Sequence, residues 1–211
     1  MIGYYNYTVW LTYIGLSSGI AGIYLAFAGF PLYAVFCLLF SGFCDLFDGM
    51  VARTKKNRTD EERRFGIQLD SLSDLVCFGV LPTAIGCALG LTAWYFVILF
   101  CAFVLAGLIR LAYYNVTEET RQKETTDVRR HYLGLPITAS AIIFPIAFAI
   151  IAFLDFLEFP LLRYLYALCL LVTAFLFVAP IRIAKPHKKG VFVLLLVGVV
   201  FTVLLLLKLF L

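Results

Sequence analysis

Long runs of apolar residues, separated by short polar segments, extend along the whole chain. A run of about 20 apolar residues is long enough to cross the hydrocarbon core of a bilayer as an α-helix. The pattern predicts seven such spans, at residues 8–29, 32–53, 68–90, 92–115, 135–154, 160–182 and 190–210. We therefore expect an all-α fold, a polytopic transmembrane helix bundle in which residues 1–211 form a single membrane domain.

The composition agrees with a membrane protein. Hydrophobic residues make up 63% of the chain and charged residues 14%, and the mean hydropathy is +0.98. Soluble domains are about half apolar and about one quarter charged. Residues 1–7 contain no Lys or Arg. The basic start of a cleaved secretory signal is therefore missing, and the first run is expected to remain as a span.

Basic residues are concentrated in alternate connections between the predicted spans. The connections after the second, fourth and sixth spans hold most of the Lys and Arg, and the opposite connections hold few. The positive-inside rule therefore places these connections and the N-terminus in the cytoplasm, and the C-terminus outside. The formal net charge of +4 lies mainly on this face, where it would attract anionic lipid headgroups. We expect no nucleic-acid partner.

The cysteines and histidines do not indicate a metal site with soft ligands. All six cysteines lie in apolar segments, none belongs to a C-x-x-C pair, and the chain has only two histidines. Free cysteines in such positions usually act as small apolar residues. Any metal in this protein is therefore expected to be held by oxygen ligands.

Four aspartates lie on the two sides of a short, highly charged connection. Asp45 and Asp48 are three residues apart, and Asp70 and Asp74 are four residues apart, so each pair lies on one face of its helix. At about 1.5 Å of rise per residue, the two pairs lie at similar depths below the ends of the connection. The sequence therefore predicts that the four carboxylates meet.

Four ionised aspartates inside a bilayer would cost roughly 10 to 14 kcal/mol before their mutual repulsion. Two divalent cations, Mg²⁺ or Mn²⁺, would neutralise them, because these ions prefer carboxylate oxygens. Paired metals of this kind are suited to phosphoryl transfer. The alternative is a set of carboxylates that face the aqueous path of a proton or cation transporter.

Small residues near the aspartates favour the first interpretation. Gly49 and Ala52 follow the first pair, and Gly66 precedes the second. They keep the rim free of bulky side chains, so that a nucleotide could lie against the backbone there.

The same residues resemble the signature of the CDP-alcohol phosphatidyltransferase family, D-x-x-D-G-x-x-A-R followed by G-x-x-x-D-x-x-x-D. Every fixed position matches, in DLFDGMVAR at 45–53 and GIQLDSLSD at 66–74. The spacer at residues 54–65 has twelve residues, where the family usually has eight. Thr59 to Glu62 is typical of a capping box that opens a short helix. We expect the insertion to reshape the loop over the nucleotide, to leave the aspartates in place and to affect mainly the role of Arg53.

Three further segments resemble the phosphatidylserine synthase branch of this family, at residues 69–82, 110–115 and 134–136. The resemblance covers residues 8–190. It implies a homodimer in the cell membrane, with six core spans, a peripheral seventh span and a cavity open to the cytoplasm. It also implies transfer of a phosphatidyl group from CDP-diacylglycerol to L-serine, with release of CMP.

The resemblance also implies a role for each signature residue. Asp74 corresponds to the family's proposed general base. The metal ligands would be Asp45, Asp48, Asp70 and Asp74. The residues that border the CDP moiety would be Asp48, Gly49, Ala52, Arg53, Gly66 and Asp70.

Other cations are candidates for binding the acceptor or a phosphate. Arg110 lies inside the fourth predicted span, where it either binds an anionic group or pairs with an aspartate or with carbonyls at a helix end. Asn115 could assist it, and Arg182 and Lys185 lie at the end of the sixth predicted span. One deep cation and two at the rim suit the single carboxylate of serine. Glycerol 3-phosphate, inositol phosphate and an archaeal ether lipid remain alternative substrates.

Overall fold

The computed structural model describes residues 3–52, 54–55, 57–124, 131–154 and 162–184. This part of the chain is mainly helical and contains two short strands. The helices are α1 Trp10–Phe27, α2 Pro31–Ala52, α3 Asp60–Asp74, α4 Leu81–Ala88, α5 Trp94–Glu124, α6 Ser140–Leu154 and α7 Leu162–Val178. The strands are β1 His131–Leu133 and β2 Arg182–Ala184.

Four helical stretches of the described residues are long and apolar enough to cross a membrane. They are Tyr7–Phe27, Pro31–Ala52, Asp60–Ala88 and Trp94–Arg121. Two further apolar helices, Ile137–Phe153 and Arg163–Val178, are shorter. The prediction of a multi-pass helical membrane protein is therefore confirmed. The predicted seventh span, at residues 190–210, lies outside the described residues.

Helix α1 packs closely on its neighbours through a row of glycines. A Cβ atom added at Gly19 would lie 2.6 Å from Sγ of Cys77, and one added at Gly22 would lie 2.8 Å from Cβ of Cys37. Small residues let two backbones approach, which is how helices commonly associate in lipid. This row brings α1 against α2 and against the segment that directly follows Asp74.

The third predicted span begins earlier than expected. The sequence predicts residues 68–90, but one continuous helical stretch runs from Asp60 to Ala88. The predicted capping box is present, because Thr59 accepts a hydrogen bond from the Glu62 amide and the Glu62 side chain accepts one from the Thr59 amide. The expected short helix is wrong: this cap opens α3 itself, which continues into the span.

A π-helical turn, Leu75–Val80, joins α3 to α4 directly after Asp74. The amide of Leu81 donates to the carbonyl of Val76, five residues earlier. Pro82 has no amide hydrogen to continue an ordinary helical ladder. The carbonyl of Pro82 instead accepts a hydrogen bond of 3.0 Å from the buried hydroxyl of Tyr166.

Helix α5 runs past the predicted end of the fourth span. The sequence predicts residues 92–115, and the helix continues to Glu124. An ion pair of 2.6 Å between Glu118 and Arg121 lies within this polar extension. Hydropathy marks only the apolar part of a helix, so it does not report such an extension.

Helices α6 and α7 are shorter than the predicted spans at 135–154 and 160–182. Gly134 has a φ of 73°, and a Cβ there would lie 2.7 Å from the Phe177 carbonyl. A 3-10 turn, Ile137–Ala139, then precedes α6. Helix α7 ends at Val178, shortly before Pro180, because a proline disfavours helical backbone at the preceding residue.

The all-α prediction for the fold is confirmed, and two short strands accompany the helices. β1 pairs with β2 in an antiparallel register in which Leu133 lies opposite Arg182. This pairing joins the segment before α6 to the segment after α7. Three residues on each side form the pair, too few to be recognised from the sequence.

Candidate active site

The four aspartates meet across α2 and α3. The carboxyl groups of Asp45 and Asp74 lie within hydrogen-bonding distance of each other, and so do those of Asp48 and Asp70. The chain reverses direction between α2 and α3. Asp45 and Asp74, the members of each pair that lie farther from the spacer, therefore meet each other. This is the arrangement that the sequence predicts.

The cluster can accommodate a metal ion. Oxygen atoms of Asp45, Asp70 and Asp74 all lie within 4.8 Å of one another. Asp48 and Asp74 are only 9% and 8% exposed. Ionised carboxylates this close repel, so a cation or a proton must lie between them. None of the described residues that line the pocket is basic, and an oxygen-rich, anionic donor set fits Mg²⁺ or Mn²⁺.

Helix α1 supplies a wall of the pocket that the sequence prediction missed. The buried hydroxyl of Thr12 donates to Oδ2 of Asp48 at 3.2 Å. The carbonyl of Gly15 accepts a hydrogen bond of 2.9 Å from Ser41, and Cys77 lies 3.5 Å from the same oxygen. Thr12 shares a helix face with Gly15 and Gly19, and this small-residue spacing is the signal that could have identified the wall.

The small residues near the aspartates lie on the side of the cluster that the sequence predicts to face the cytoplasm. A Cβ at Gly49 would meet nothing within 4 Å, so that face is open. Gly66 is covered instead, because Nη2 of Arg58 would lie 2.6 Å from a Cβ there. Nη1 of Arg58 lies 3.5 Å from the Ala52 carbonyl. Arg53 lies outside the described residues.

Arg110 is buried and 6% exposed. Its Nε donates to the carbonyl of Leu135 at 3.0 Å, and its guanidinium lies 5.5 Å from the centre of the Tyr114 ring. The carbonyl contact matches one of the two alternatives considered for this residue. Arg110 is not among the described residues that line the aspartate pocket, so its role in binding an anion stays a prediction.

Asn115 contacts the helix of the second aspartate pair. Its amide donates to the hydroxyl of Ser71 at 2.8 Å, directly beside Asp70 in the chain. It cannot cap a helix end, because α5 continues to Glu124. Arg182 is exposed at the start of β2, and Lys185 lies outside the described residues.

Comparison with known proteins identifies the family. The sequence model described as CDP-alcohol phosphatidyltransferase matches residues 5–204. The chain belongs to the CDP-alcohol phosphatidyltransferase family. The resemblance inferred from residues 45–74 is therefore confirmed, and the four aspartates of the pocket are the signature aspartates of a phosphotransferase family.

Curated relatives carry related names. CDP-diacylglycerol--serine O-phosphatidyltransferase of Saccharomyces cerevisiae is 37% identical over 150 residues, covering 65% of this chain and 53% of the relative. The Bacillus subtilis protein of the same name is 33% identical over 109 residues, covering 50% and 55%. Archaetidylserine synthase of Methanothermobacter thermautotrophicus is 34% identical over 133 residues, covering 63% and 53%. The matches span about half the length of these relatives.

Proposed function

We propose that this protein transfers the phosphatidyl group of CDP-diacylglycerol to the hydroxyl of L-serine, forming phosphatidylserine and CMP. The meeting of four signature aspartates in one membrane-embedded pocket is the observation that carries this proposal. The names of the relatives from yeast and Bacillus subtilis support serine as the acceptor.

The aspartates would bind two divalent cations. Asp45 and Asp74 form the deeper pair and Asp48 and Asp70 the shallower pair, so each contact joins α2 to α3. Bound Mg²⁺ or Mn²⁺ would polarise the phosphate and offset the charge that develops on the departing CMP. The hydroxyl of Thr12 orients Asp48, which restricts the directions in which that carboxylate can offer oxygens.

The chemistry is a direct displacement at phosphorus. The hydroxyl oxygen of serine forms a bond to the phosphorus that carries diacylglycerol, and the bond from that phosphorus to the oxygen of CMP breaks. The Asp74 carboxylate accepts the hydroxyl proton, a role in general base catalysis that needs close approach to the hydroxyl. The transfer requires no covalent intermediate with the protein.

Basic residues would hold the serine carboxylate and the lipid phosphate. Arg110 is the deep candidate, and Asn115 reaches the aspartate helix through Ser71. Arg182 and Lys185 are the candidates at the rim. A planar guanidinium binds a carboxylate through two parallel hydrogen bonds. One such group suits an acceptor with a single carboxylate better than one with a doubly charged phosphate.

The membrane arrangement follows the sequence. We propose six core spans, a peripheral seventh and a cytoplasmic pocket in the cell membrane, with the protein working as a homodimer. The positions of the basic connections support the cytoplasmic side.

An acceptor screen tests the function. Detergent-purified full-length protein with Mg²⁺ or Mn²⁺ would receive CDP-diacylglycerol and one acceptor at a time, with CMP and lipid products measured together. We expect CMP release and phosphatidylserine only with L-serine. Asp70→Asn should lower turnover by orders of magnitude, because it removes one carboxylate charge from the cluster, and EDTA should have the same effect on the unaltered protein.

Three outcomes would separate the alternatives. CMP release with glycerol 3-phosphate or inositol phosphate and none with serine would replace the acceptor and keep the chemistry. Faster turnover of the archaeal ether analogue of the lipid would replace the donor. No CMP release with any acceptor, combined with cation flux in vesicles, would favour the transporter alternative.

A further inference from the structure

Arg58 covers the backbone of Gly66 at the rim of the aspartate pocket. Its Nη2 atom occupies the space beside this glycine and donates to the Glu62 carbonyl at 3.2 Å. Its Nη1 atom reaches the Ala52 carbonyl at 3.5 Å. A side chain from the spacer therefore bridges the ends of the two helices that carry the aspartates.

The spacer holds Arg58 from both sides. Lys55 forms an ion pair of 2.8 Å with Glu62, and Thr59 forms the capping box with the same glutamate. The N-terminal segment adds a hydrogen bond of 2.5 Å from Tyr4 to Glu61. The residues around Arg58 are therefore tied to the first turn of α3.

The contacts of Arg58 lie toward the spacer from the shallower carboxylate pair. Ala52 is one helical turn after Asp48, and Gly66 is one turn before Asp70. These four residues correspond to about 6 Å along each helix. A diphosphate whose reacting end lies at the aspartates would therefore pass within reach of this cation on its way to the nucleoside.

The present contacts of Arg58 are not charge-assisted. Both acceptors are neutral carbonyls, at 3.5 and 3.2 Å, and the buried Nε atom has no hydrogen-bond partner in the described part of the chain. Leaving a buried donor unpaired costs about 1 to 3 kcal/mol. Charge-assisted bonds to phosphate oxygens are shorter and roughly twice as strong. An arriving phosphate therefore competes well with the carbonyls.

We propose that Arg58, which belongs to the longer spacer of this chain, binds the diphosphate of the CDP-lipid and covers Gly66 until the nucleotide takes that face. This inference rests on the proposed function for the identity of the ligand. It assigns to the insertion a direct role in nucleotide binding, beside the signature residues.

Calorimetric titration of the detergent-purified full chain with CDP, in the presence of Mg²⁺, tests the proposal. Arg58→Ala should raise the Kd for CDP at least tenfold and make it less dependent on salt, because one ion pair with phosphate is lost. Arg58→Lys should fall between, since a point charge replaces a fork. Arg64→Ala, at an exposed position of α3, is the matched control and should keep the unaltered Kd and salt dependence.

Gly66→Ala, alone and combined with Arg58→Ala, tests the shared face. Gly66→Ala should bind CDP more weakly than the unaltered protein, and the double variant more weakly than Arg58→Ala alone, because the added methyl group occupies the nucleotide's side of the glycine. If the double variant binds CDP as well as Arg58→Ala does, Gly66 only makes room for Arg58. The proposal that the nucleotide occupies the same face of Gly66 would then be rejected.

The remaining outcomes separate this proposal from the proposed function. An unchanged Kd in Arg58→Ala, or a raised Kd with the salt dependence of the unaltered protein, would reduce Arg58 to a brace between the helices. CDP binding that depends on Arg58, without transfer to any acceptor, would overturn the function and keep the assignment of Arg58.

Discussion

Asp48 is the residue at which three helices meet. It belongs to α2, contacts Asp70 of α3 and accepts a hydrogen bond from Thr12 of α1. Both Thr12 and Asp48 are buried, so water does not readily replace this bond. A carboxylate held in this way keeps one orientation toward a shared cation, and groups that orient a ligand affect metal affinity without touching the metal.

Replacing Thr12 with valine should weaken metal binding. The variant keeps the shape of the side chain and loses only the hydroxyl, so Asp48 can rotate away from the cluster. Loss of such an orienting contact typically costs about 10- to 100-fold in metal affinity. Titration of the purified protein with Mn²⁺, followed by electron paramagnetic resonance of the free ion, measures the change without relying on turnover.

Thr12→Ser is the matched control for this prediction. It restores the hydroxyl and should return Mn²⁺ affinity close to that of the unaltered protein. Equal affinity in the valine variant and the unaltered protein would show that Asp48 does not need the hydroxyl to face the cation.

At the residue level, the sequence predicted which side chains share one face of a helix. The spacings within 45–48 and 70–74 were enough to bring four carboxylates into one pocket. Thr12 was missed because its partner is 36 residues away. Arg58 was counted only among the basic residues of its connection, because nothing local indicates a contact with Gly66. Contacts between distant segments depend on tertiary packing, which has no period in the sequence.

The glycine face of α1 is the element on which the pocket rests. Gly15 and Gly19 bring α1 close enough to α2 for the Gly15 carbonyl to accept a hydrogen bond from the Ser41 hydroxyl. Cys77, in the π-helical turn after Asp74, fits against Gly19. Packing at this face therefore sets the distance between α1 and the helix that carries the second aspartate pair.

Adding one methyl group at Gly19 should destabilise the protein. The new Cβ would lie 2.6 Å from Sγ of Cys77, so α1 or the π-helical turn must move. Overpacking of this kind typically costs about 1 to 3 kcal/mol. The melting temperature of Gly19→Ala in detergent should fall below that of the unaltered protein.

Two further variants make this prediction specific. Gly19→Ala combined with Cys77→Ala should recover most of the loss relative to Cys77→Ala alone, because the nearest remaining atoms of residue 77 lie 3.4 and 3.5 Å from the added carbon. Ala21→Leu, on an exposed face of α1, should leave the melting temperature unchanged. A similar fall in Ala21→Leu would indicate that any added bulk on α1 is harmful.

At the level of elements, apolar runs predicted where helices exist and capping determined where they end. Hydropathy placed the third span at 68–90, yet α3 starts at Asp60, where the capping box satisfies the first amides. Gly134 and Pro180 shorten α6 and α7 relative to their apolar runs. Hydropathy averages over many residues, whereas a helix end depends on one or two.

Over the whole molecule, the charged spacer and the aspartate pocket occupy the same end of the bundle. Lys55 and Arg58 lie in the spacer between α2 and α3, and both contact Glu62 in the first turn of α3. The proposed soluble acceptor would enter the pocket through this end, and CMP would leave through it. The orientation of the bundle therefore decides from which side of the membrane the reaction draws its substrates.

Reporter fusions test this orientation and the number of spans together. The basic connections predict that the segment after α7 lies in the cytoplasm, and that the apolar run at 190–210 returns the chain to the outside. Green fluorescent protein, which matures in the bacterial cytoplasm, should fluoresce when fused after Ala184 and stay dark when fused after Leu211. Alkaline phosphatase, which is active outside the cytoplasm, should give the opposite pattern at the same two positions. Cytoplasmic signals at both positions would reject the seventh span. Exchange of the two patterns would instead place the aspartate pocket on the outer side of the membrane. The pocket would then be separated from the cytoplasmic serine that the proposed reaction requires.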